Sequence, residues 1–452
     1  MTRRQLLSPL DREIARLAVP ALGALVAEPL FLLTDTALVG HLGEVALGGL
    51  SIASTVLQTL IGLLIFLAYA TTPAVARRLG AGDRAGAVTA GIDGMWLALG
   101  LGAVITAVGI PTAPLVVGAF GTEAPVAEAA ITYYSLSLWG VPAMLVVIAA
   151  SGLLRGLQDT RTTLVVAGIG FAANAVLNAL LIYGAGLGIA GSALGTVIAQ
   201  WAMALVYAVL AVRAARPVGA RLRPGLSGVS AAALGGGWLF LRTLSLRASF
   251  VATTAAAAAL GVIELATMQV AMTVFLAAAF ALDALAIAGQ AMIGHGIGAA
   301  DVPRVVAITR RLVRSGLLAG LALGLLLALA SPLLGVVFTS DPVVREALTV
   351  ASLLTAAALP LAGYVFVLDG VLIGAGDGRY LALAGVVNLG VYLLALWPAV
   401  AFAPDDPRLA VAGLWIALGV GMLGARAVTL GLRARGTAWI PIGQSEADIR
   451  LS

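Results

Sequence analysis

The sequence contains no cysteine and no lysine, and only 10% of its 452 residues are charged. Without cysteine there can be no disulfide and no thiolate metal site. The two histidines, His41 and His295, are isolated, so they provide neither a catalytic metal cluster nor a nucleophile–base pair. These absences argue against an enzyme, and we expect no cofactor.

Apolar residues take the place of the missing charges. They make up 61% of the chain, and the mean hydropathy is +1.07. A soluble domain has about 25% charged residues, so this composition indicates a polytopic membrane protein. The N-terminal basic residues lead into a span too long for a cleavable signal peptide. The arginines that raise the pI to about 10 lie mostly where short loops leave the membrane, so no nucleic-acid partner is expected.

Apolar runs between charged or Pro/Gly-rich breaks predict twelve transmembrane helices. They lie near residues 14–40, 46–76, 87–110, 126–153, 162–183, 188–212, 238–259, 265–294, 305–338, 343–374, 380–402 and 409–432. With the N-terminus in the cytoplasm, only Arg345 and Arg408 fall on the opposite side of the membrane. The positive-inside rule therefore predicts a multi-pass protein of the cell membrane with both termini cytoplasmic.

An internal repeat relates the two halves of the chain. Residues of the first half recur 218 positions later in three separate patches. The pairs are Gly152, Leu154, Gly156, Asp159 and Arg161 with Gly370, Leu372, Gly374, Asp377 and Arg379; Gly80, Ala81 and Asp83 with Gly298, Ala299 and Asp301; and Leu42, Gly43 and Leu47 with Leu260, Gly261 and Leu265. Each half holds six spans, so the two six-helix repeats should run parallel about an axis along the membrane normal.

The repeat divides the chain into two lobes and a linker. We place the N-lobe (helices 1–6) at 1–212, a cytoplasmic inter-lobe linker at 213–228, the C-lobe (helices 7–12) at 229–435 and a cytoplasmic tail at 436–452. Two lobes of this kind predict a transporter that works by alternating access. A channel would more usually be assembled from smaller identical subunits.

Asp35 is the main candidate for a functional residue. It lies well inside the first span, where an ionised carboxylate costs about 2.5–3.5 kcal/mol, and no lysine is available to neutralise it. Glu28 lies two helical turns earlier on nearly the same face. Pro20 and Pro29 interrupt the hydrogen bonding of this helix and allow it to bend. We expect protonation of Asp35 to be coupled to that bend, whereas Glu28 either takes part or pairs with a neighbouring polar group.

Other polar residues in the spans have weaker claims. Asn174 and Asn178 share a face of the fifth span, where they either complete the proton site or join helices. Asp93, near the start of its helix, is expected to be solvated or to cap the helix. Weaker candidates of the same kind are Thr34, Thr36 and Thr196.

The second half has acids at different positions. Asp283 and Asp369 lie inside spans eight and ten, where each could be a cation ligand, a substrate contact or a structural anchor. Thr253 occupies the repeat position equivalent to Asp35. The two lobes therefore share a fold but do not carry carboxylates at equivalent positions. No metal partner lies at helical spacing from either histidine.

The chain resembles the multidrug and toxic compound extrusion (MATE) transporters, specifically their DinF-like branch. The matching segments are 34–43 (TDTALVGHLG), 241–247 (LRTLSLR), 281–290 (ALDALAIAGQ) and 368–375 (LDGVLIGA). The resemblance covers essentially the whole chain and implies an all-α fold of twelve transmembrane helices. It implies export of bulky, often cationic or amphipathic compounds in exchange for protons or sodium ions, with Asp35 as the coupling residue and Pro20 at the bend.

The resemblance also shows two departures. Asn178 matches a family asparagine, but Ile182 stands where many members have a second acid, so Glu28 or Asn174 would have to replace it. Asp369 matches an acid of the sodium-coupled branch, whose glutamate in helix seven has no counterpart within 238–259. We therefore expect a monomeric, proton-coupled exporter of small organic compounds. The alternatives are a sodium-coupled exporter and a lipid-linked sugar flippase, which would have basic residues in its cavity and often two more helices.

Overall fold

The computed structural model describes residues 8–339 and 341–441, and the described part is almost entirely helical. The helices are α1 (Pro9–Gly40), α2 (Glu44–Leu64), α3 (Phe66–Gly80), α4 (Arg84–Gly118), α5 (Ala124–Leu138), α6 (Val141–Gly156), α7 (Thr160–Ala179), α8 (Gly188–Ala215), α9 (Leu226–Leu260), α10 (Val262–Gly298), α11 (Val302–Phe338), α12 (Pro342–Gly374), α13 (Gly378–Ala401), α14 (Pro407–Ile416) and α15 (Ala425–Arg435). A π-helical turn, Leu180–Gly184, follows α7, and a second, Ala417–Gly424, joins α14 to α15.

The predicted all-α membrane fold is confirmed. Within the described residues, eleven helical segments are long and apolar enough to cross a membrane, and the count reaches twelve when α5 and α6 form one broken span. The axes of α5 and α6 differ by 50°. Pro142 lies at the start of α6, and its missing N–H prevents a regular helix from continuing through this point. The prediction treated residues 126–153 as one continuous helix and missed this bend.

The repeat seen in the sequence has a structural basis in its helix starts. Asp83 caps α4 by accepting a hydrogen bond from the Gly86 backbone N–H at 2.7 Å. Its repeat partner Asp301 caps α11 by accepting from the Arg304 backbone N–H at 3.0 Å. A side-chain oxygen at this position satisfies a backbone donor that the helix itself leaves unpaired. The repeated Gly-Ala-x-Asp patch therefore encodes a turn followed by a capped helix in each half.

Close helix packing explains many of the glycines. In the C-terminal half, Gly316 of α11 faces Gly363 of α12, and a Cβ atom built on Gly363 would lie 2.1 Å from the Gly316 carbonyl oxygen. Gly320 makes a similar approach to the Leu359 carbonyl oxygen, at 2.3 Å. Small residues allow helix backbones to come this close in a membrane, where lipid provides little hydrophobic drive for association.

The described residues form two compact units. One comprises Val19–Gly236, and the other comprises the residues up to Ala18 together with those from Gly237 onward. The two boundaries are equivalent in the repeat, because Gly236 lies 218 residues after Ala18. The first turns of α1 thus belong to the C-terminal unit and the first turns of α9 to the N-terminal unit. This division differs from the lobes of 1–212 and 229–435 drawn from the sequence.

Ion pairs hold the first turns of α1 in the C-terminal unit. Asp11 forms an ion pair with Arg311 of α11. Glu13 accepts a 3.1 Å hydrogen bond from Arg304, which lies about two turns before Arg311 on α11. These pairs involve residues that the repeat analysis did not single out.

The segment before α9 is anchored to α4 in the N-terminal unit. Asp93 accepts a hydrogen bond from the Gly225 backbone N–H at 2.9 Å and pairs with Arg221 at 3.4 Å. The Trp96 indole donates to the Leu222 carbonyl oxygen at 3.0 Å. Asp93 is only 2% exposed, so the expectation that it is solvated or caps a helix is wrong. Its carboxylate can be buried because it accepts from the Gly225 N–H and pairs with Arg221.

Candidate functional site

Asp35 lies at the centre of a buried polar cluster in the N-terminal unit, and 5% of its surface is exposed. Three side chains donate hydrogen bonds to its carboxylate. Asn178 of α7 reaches Oδ1 at 2.8 Å, Ser192 of α8 reaches Oδ1 at 2.5 Å, and Tyr133 of α5 reaches Oδ2 at 3.1 Å. Four helices therefore contribute to the surroundings of this one acid.

Two glycines on α8 make this arrangement possible. A Cβ atom on Gly195 would lie 2.1 Å from the Asn178 side-chain oxygen and 3.0 Å from its backbone nitrogen. A Cβ atom on Gly191 would lie 2.7 Å from the Leu181 carbonyl carbon, in the π-helical turn. Only glycine permits α8 to approach α7 closely enough for Ser192 and Asn178 to meet on the same carboxylate oxygen.

A second layer of polar residues extends the cluster. Asn174 lies one turn before Asn178, and its amide donates to the Thr196 hydroxyl at 3.0 Å. Thr196 and Ser192 lie one turn apart on α8, and Ser192 contacts Asp35. The structure thus brings together Asp35 and Asn178 as the sequence suggested, whereas Asn174 bonds to Thr196 and not to the acid.

The three direct partners of Asp35 are all uncharged, and each can act as donor or acceptor. A hydroxyl can rotate its hydrogen, and a carboxamide offers both an oxygen and an NH2 group. The Asn178 Oδ1 atom is buried without a hydrogen-bond partner among the described residues. A half-turn of this amide would present Oδ1 to Asp35. The cluster can therefore satisfy the carboxyl group in both its ionised and its protonated form.

The other candidates on α1 show no hydrogen bond to Asp35 among the described side chains. Pro20 and Pro29 both lie within α1, while the side chain of Glu28 lies outside the part that the structure describes. Thr34 and Thr36 donate to carbonyl oxygens of their own helix, Leu30 and Leu32, at 2.8 Å. These two threonines are exposed on α1 and do not contribute hydrogen bonds to Asp35.

Sequence reasoning missed two members of the cluster, Tyr133 and Ser192. Ser192 lies one helical turn before Thr196 on the apolar helix α8, and this spacing was a usable signal. Tyr133 stands beside Tyr134 and near two serines, so nothing in the local sequence distinguishes it. Ile182, at the position where relatives were expected to have an acid, is buried in the π-helical turn next to the cluster.

The repeat-equivalent position in the C-terminal unit has different chemistry. Thr253, the counterpart of Asp35, shares a hydrogen bond of 2.5 Å with the hydroxyl of Tyr392. Tyr392 is the repeat counterpart of Asn174. Both side chains are neutral, so this contact joins α9 to α13 without an ionisable acid.

The charged cluster of the C-terminal unit centres on Asp369 of α12. Its carboxylate pairs with Arg242 of α9, whose Nε lies 3.2 Å from Oδ1, and with Arg426 of α15, whose guanidinium lies 3.3 Å from Oδ1. Asp283 lies near enough to Arg426 for their charges to interact. The side chains of Arg242, Arg426 and Asp369 are all largely buried.

This cluster is an exception to the expectation that the arginines lie where short loops leave the membrane. Arg242 and Arg426 are buried within their helices, where both pair with Asp369. Among the described residues, no group of three or more His, Cys, Asp or Glu side chains is placed to hold a metal ion.

Comparisons with known proteins agree with this architecture. The MatE family profile matches residues 20–180 and 239–396. The chain is 31% identical to the DNA damage-inducible protein F of Escherichia coli (strain K12) over 324 residues, which cover 68% of this chain and 69% of that protein. A MOP superfamily transporter from Pyrococcus furiosus superposes with a TM-score of 0.85 and 23% identity, covering 95% of this chain and 96% of its own. A MATE crystal structure in the bent conformation gives a TM-score of 0.87 at 22% identity, covering 96% of both chains.

Proposed function

Since this chain belongs to the MatE family of multi-pass membrane transporters, we propose that it exports hydrophobic or cationic organic compounds in exchange for protons. Asp35 is the residue that couples export of the compound to entry of the proton. The single observation that carries this proposal is the set of hydrogen bonds around Asp35, from the neutral groups of Tyr133, Asn178 and Ser192. The protein is a transporter and not an enzyme.

The hydrogen-bond partners suit an acid that gains and loses a proton. An acid held by arginine stays ionised, because the fixed positive charge favours the charged form. Asp35 accepts only from neutral groups, and these can reorient to accept a hydrogen bond from the protonated acid. The neutral partners of Asp35 are therefore suited to proton exchange, whereas the guanidinium partners of Asp369 are suited to an ion pair.

The coupling acts through α1. Protonation removes the negative charge from Asp35 and weakens the charge-assisted hydrogen bonds from Ser192, Tyr133 and Asn178. α1 can then change its bend at Pro20, where the helix lacks one backbone hydrogen bond. Pro20 lies two residues beyond Ala18, the boundary at which α1 passes from one compact unit to the other. Pro29 provides a second weak point between this boundary and the acid.

We further propose that the substrates are small organic compounds and that the carrier acts as a monomer in the cell membrane, with both termini in the cytoplasm. Glu28 is the remaining acid of α1 close enough in sequence to assist Asp35 in place of the acid missing at Ile182. Asn174, linked to the cluster through Thr196, is the other residue that could take this part.

The alternatives receive less support. Sodium coupling through the C-terminal unit would need an acid available to a cation, and Asp369 is occupied by two guanidinium groups. A lipid-linked sugar flippase would be expected to have two further helices and an excess of basic residues in its cavity. The buried Arg242 and Arg426 are balanced by Asp369 and Asp283, so they provide no such excess.

The test is dye efflux from proteoliposomes that contain the purified full-length protein. Ethidium release is followed under an imposed pH gradient and, separately, under an imposed sodium gradient of equal size. We expect release under the pH gradient and none above background under the sodium gradient. Asp35→Asn should lose the response to pH. Release driven by sodium alone, or full proton-driven release by a well-folded Asp35→Asn protein, would contradict the proposal.

A further inference from the structure

We propose that Arg310 and Arg314 of α11 bind the phosphate group of an anionic phospholipid, whose acyl chains lie along the exposed apolar face of the same helix. Both arginines are exposed, and they are one helical turn apart on one face of α11. The site belongs to the C-terminal unit, whereas the Asp35 cluster belongs to the other unit. The protein should therefore show a lipid preference that the exchange of protons does not require.

The charges on α11 leave these two arginines available. The helix contains four arginines and no acid. Arg304 and Arg311 pair with acids of α1. Within residues 8–339 and 341–441, neither Arg310 nor Arg314 forms an ion pair. The outer face of α11 thus presents positive charge to which an anion can bind.

An apolar surface continues from the two arginines along the same face of the helix. Leu317, Leu321 and Leu325 are exposed and follow Arg314 at intervals of three or four residues. Large exposed apolar side chains extend as far as Phe338. Since α11 is long and apolar enough to span a membrane, side chains exposed along this stretch contact lipid chains.

The length of the apolar surface places the arginines at the depth of the lipid phosphates. From Leu317 to Phe338 the helix rises about 32 Å at 1.5 Å per residue, which matches a hydrocarbon core of about 30 Å. Arg314 then lies where the hydrocarbon ends, and Arg310 lies about 6 Å further out, in the headgroup layer. A guanidinium group at this level can form two parallel hydrogen bonds with one phosphate.

The two positive charges favour an anionic lipid over a zwitterionic one. Phosphatidylcholine carries a quaternary ammonium group beside its phosphate, and this cation competes with one guanidinium group and is repelled by the other. Phosphatidylglycerol has the same phosphate without a cation. Two adjacent arginines near the membrane surface therefore select a headgroup with net negative charge.

The competing explanation is that both arginines extend to water and bind no lipid. Long cationic side chains near the ends of membrane helices often do so, with their apolar stems along the helix surface. Extension to water predicts no preference among lipids and no effect of these arginines on lipid binding. A lipid site predicts both.

The experiment is native mass spectrometry of the purified full-length protein, titrated with phosphatidylglycerol or with phosphatidylcholine of the same acyl chains. It resolves the number of bound lipids and gives the dissociation constant of the first. We expect the first phosphatidylglycerol to bind about tenfold more tightly than the first phosphatidylcholine. Glycerol 3-phosphate in excess should not displace it, because the acyl chains contribute to binding through the leucine face.

Single substitutions assign the bound lipid to this site. Arg310→Gln and Arg314→Gln should each weaken phosphatidylglycerol binding about fivefold, as expected for one arginine near an anionic surface. Arg314→Lys keeps the positive charge and should retain most of the binding. The matched control is Arg408→Gln, which also removes one positive charge, but from an exposed arginine that Asp406 and Glu346 already balance. Binding should be unchanged in this control.

Each result decides between a lipid site and extension to water. Equal binding of the two lipids would overturn the proposal, as would unchanged phosphatidylglycerol binding in either glutamine variant. Displacement by glycerol 3-phosphate would indicate a site for free phosphate and would also overturn it. If one glutamine variant does not fold, the other and Arg314→Lys still provide the test. The measurement uses no ion gradient and does not involve Asp35, so its failure is distinguishable from failure of proton-driven efflux.

Discussion

Asn178 donates a 2.8 Å hydrogen bond to the Asp35 carboxylate, although 143 residues separate the two along the chain. The contact joins the first span to the fifth inside the N-terminal unit. It also gives Asp35 a partner that can donate to the ionised acid or, after an amide half-turn, accept from the protonated one. The predictions for Asp35, Tyr133 and Gly195 concern the cluster around this contact.

Asp35→Asn should abolish proton-driven transport while leaving the protein folded. Asparagine has nearly the same shape as aspartate and can still hydrogen-bond with Ser192 and Tyr133, but it cannot exchange a proton. Efflux driven by a pH gradient in proteoliposomes measures the loss, and the melting temperature in detergent measures folding. Glu123→Gln, a change at an exposed loop acid, is the control and should transport normally.

Tyr133→Phe should move the pH dependence of transport upward. The change removes one of three donors that stabilise the ionised form of Asp35, worth about 1.5–3 kcal/mol for a hydrogen bond to a charged group. Loss of this donor favours the protonated acid, so half-maximal transport should move to a higher pH than in the unmodified protein. The control is Tyr134→Phe at the next position, which should keep the original profile. A downward shift in Tyr133→Phe would be inconsistent with the hydrogen bond described above.

Gly195→Ala should reduce transport strongly, because the new methyl group would lie 2.1 Å from the Asn178 side-chain oxygen and only 3.0 Å from its backbone nitrogen. Either the amide or the whole of α8 must move, and the Asn178–Asp35 contact is lost. Gly168→Ala on α7 is the matched control, since no atom lies within 4 Å of its added Cβ. That control should transport normally and gain up to about 1 kcal/mol of stability from helix propensity. Equal activity in the two variants would count against close packing at Gly195.

Asp369→Ala should destabilise the protein by about 3–5 kcal/mol, because it leaves buried guanidinium charge without its carboxylate partner. The free energy of unfolding in detergent, measured by chemical denaturation, checks this value. Asp377→Ala is a suitable comparison. Its partner Arg433 is about one third exposed, and such pairs contribute about 1 kcal/mol or less. Similar losses in the two variants would mean that the Asp369 cluster is well hydrated.

Asp93→Ala should release the segment before α9. The change removes the acceptor for the Gly225 backbone N–H and for Arg221. Trypsin should then cut faster after Arg221, and limited proteolysis followed by mass spectrometry locates the cut. Glu123→Gln again provides the reference rate. Unchanged cleavage would show that Trp96 alone is enough to hold the segment.

The sequence was sufficient to predict the helical membrane fold, the repeat and the central position of Asp35. Hydropathy reports spans directly because a bilayer requires long apolar helices. An isolated acid such as Asp35 stands out against such a background. The contact between Asp35 and Asn178 could be anticipated only in part. The face that Asn174 and Asn178 share on the fifth span limits which residues can contact Asp35, but it does not identify the one that does.

What the sequence could not show was three-dimensional pairing. From the sequence, Arg242 and Arg426 were expected to lie near loops at the membrane surface. Counting residues along a span does not reveal that both pair with Asp369 on another helix. Asp93 was misjudged for the same reason, since its partners come from a segment about 130 residues away. Tyr133 carries no local signal at all. Sequence position alone gives the depth of a side chain in the membrane but not the neighbour it finds there.

The two unit boundaries at Ala18 and Gly236 have a consequence for how the protein can be built. A chain cut at the linker yields two six-helix fragments, and neither contains a whole compact unit. Each fragment would lack the opening turns that the other provides. A single repeat expressed alone could complete a unit only by trading those turns with a second copy, as a domain-swapped dimer does. Joining the repeats into one polypeptide makes that exchange internal and independent of protein concentration.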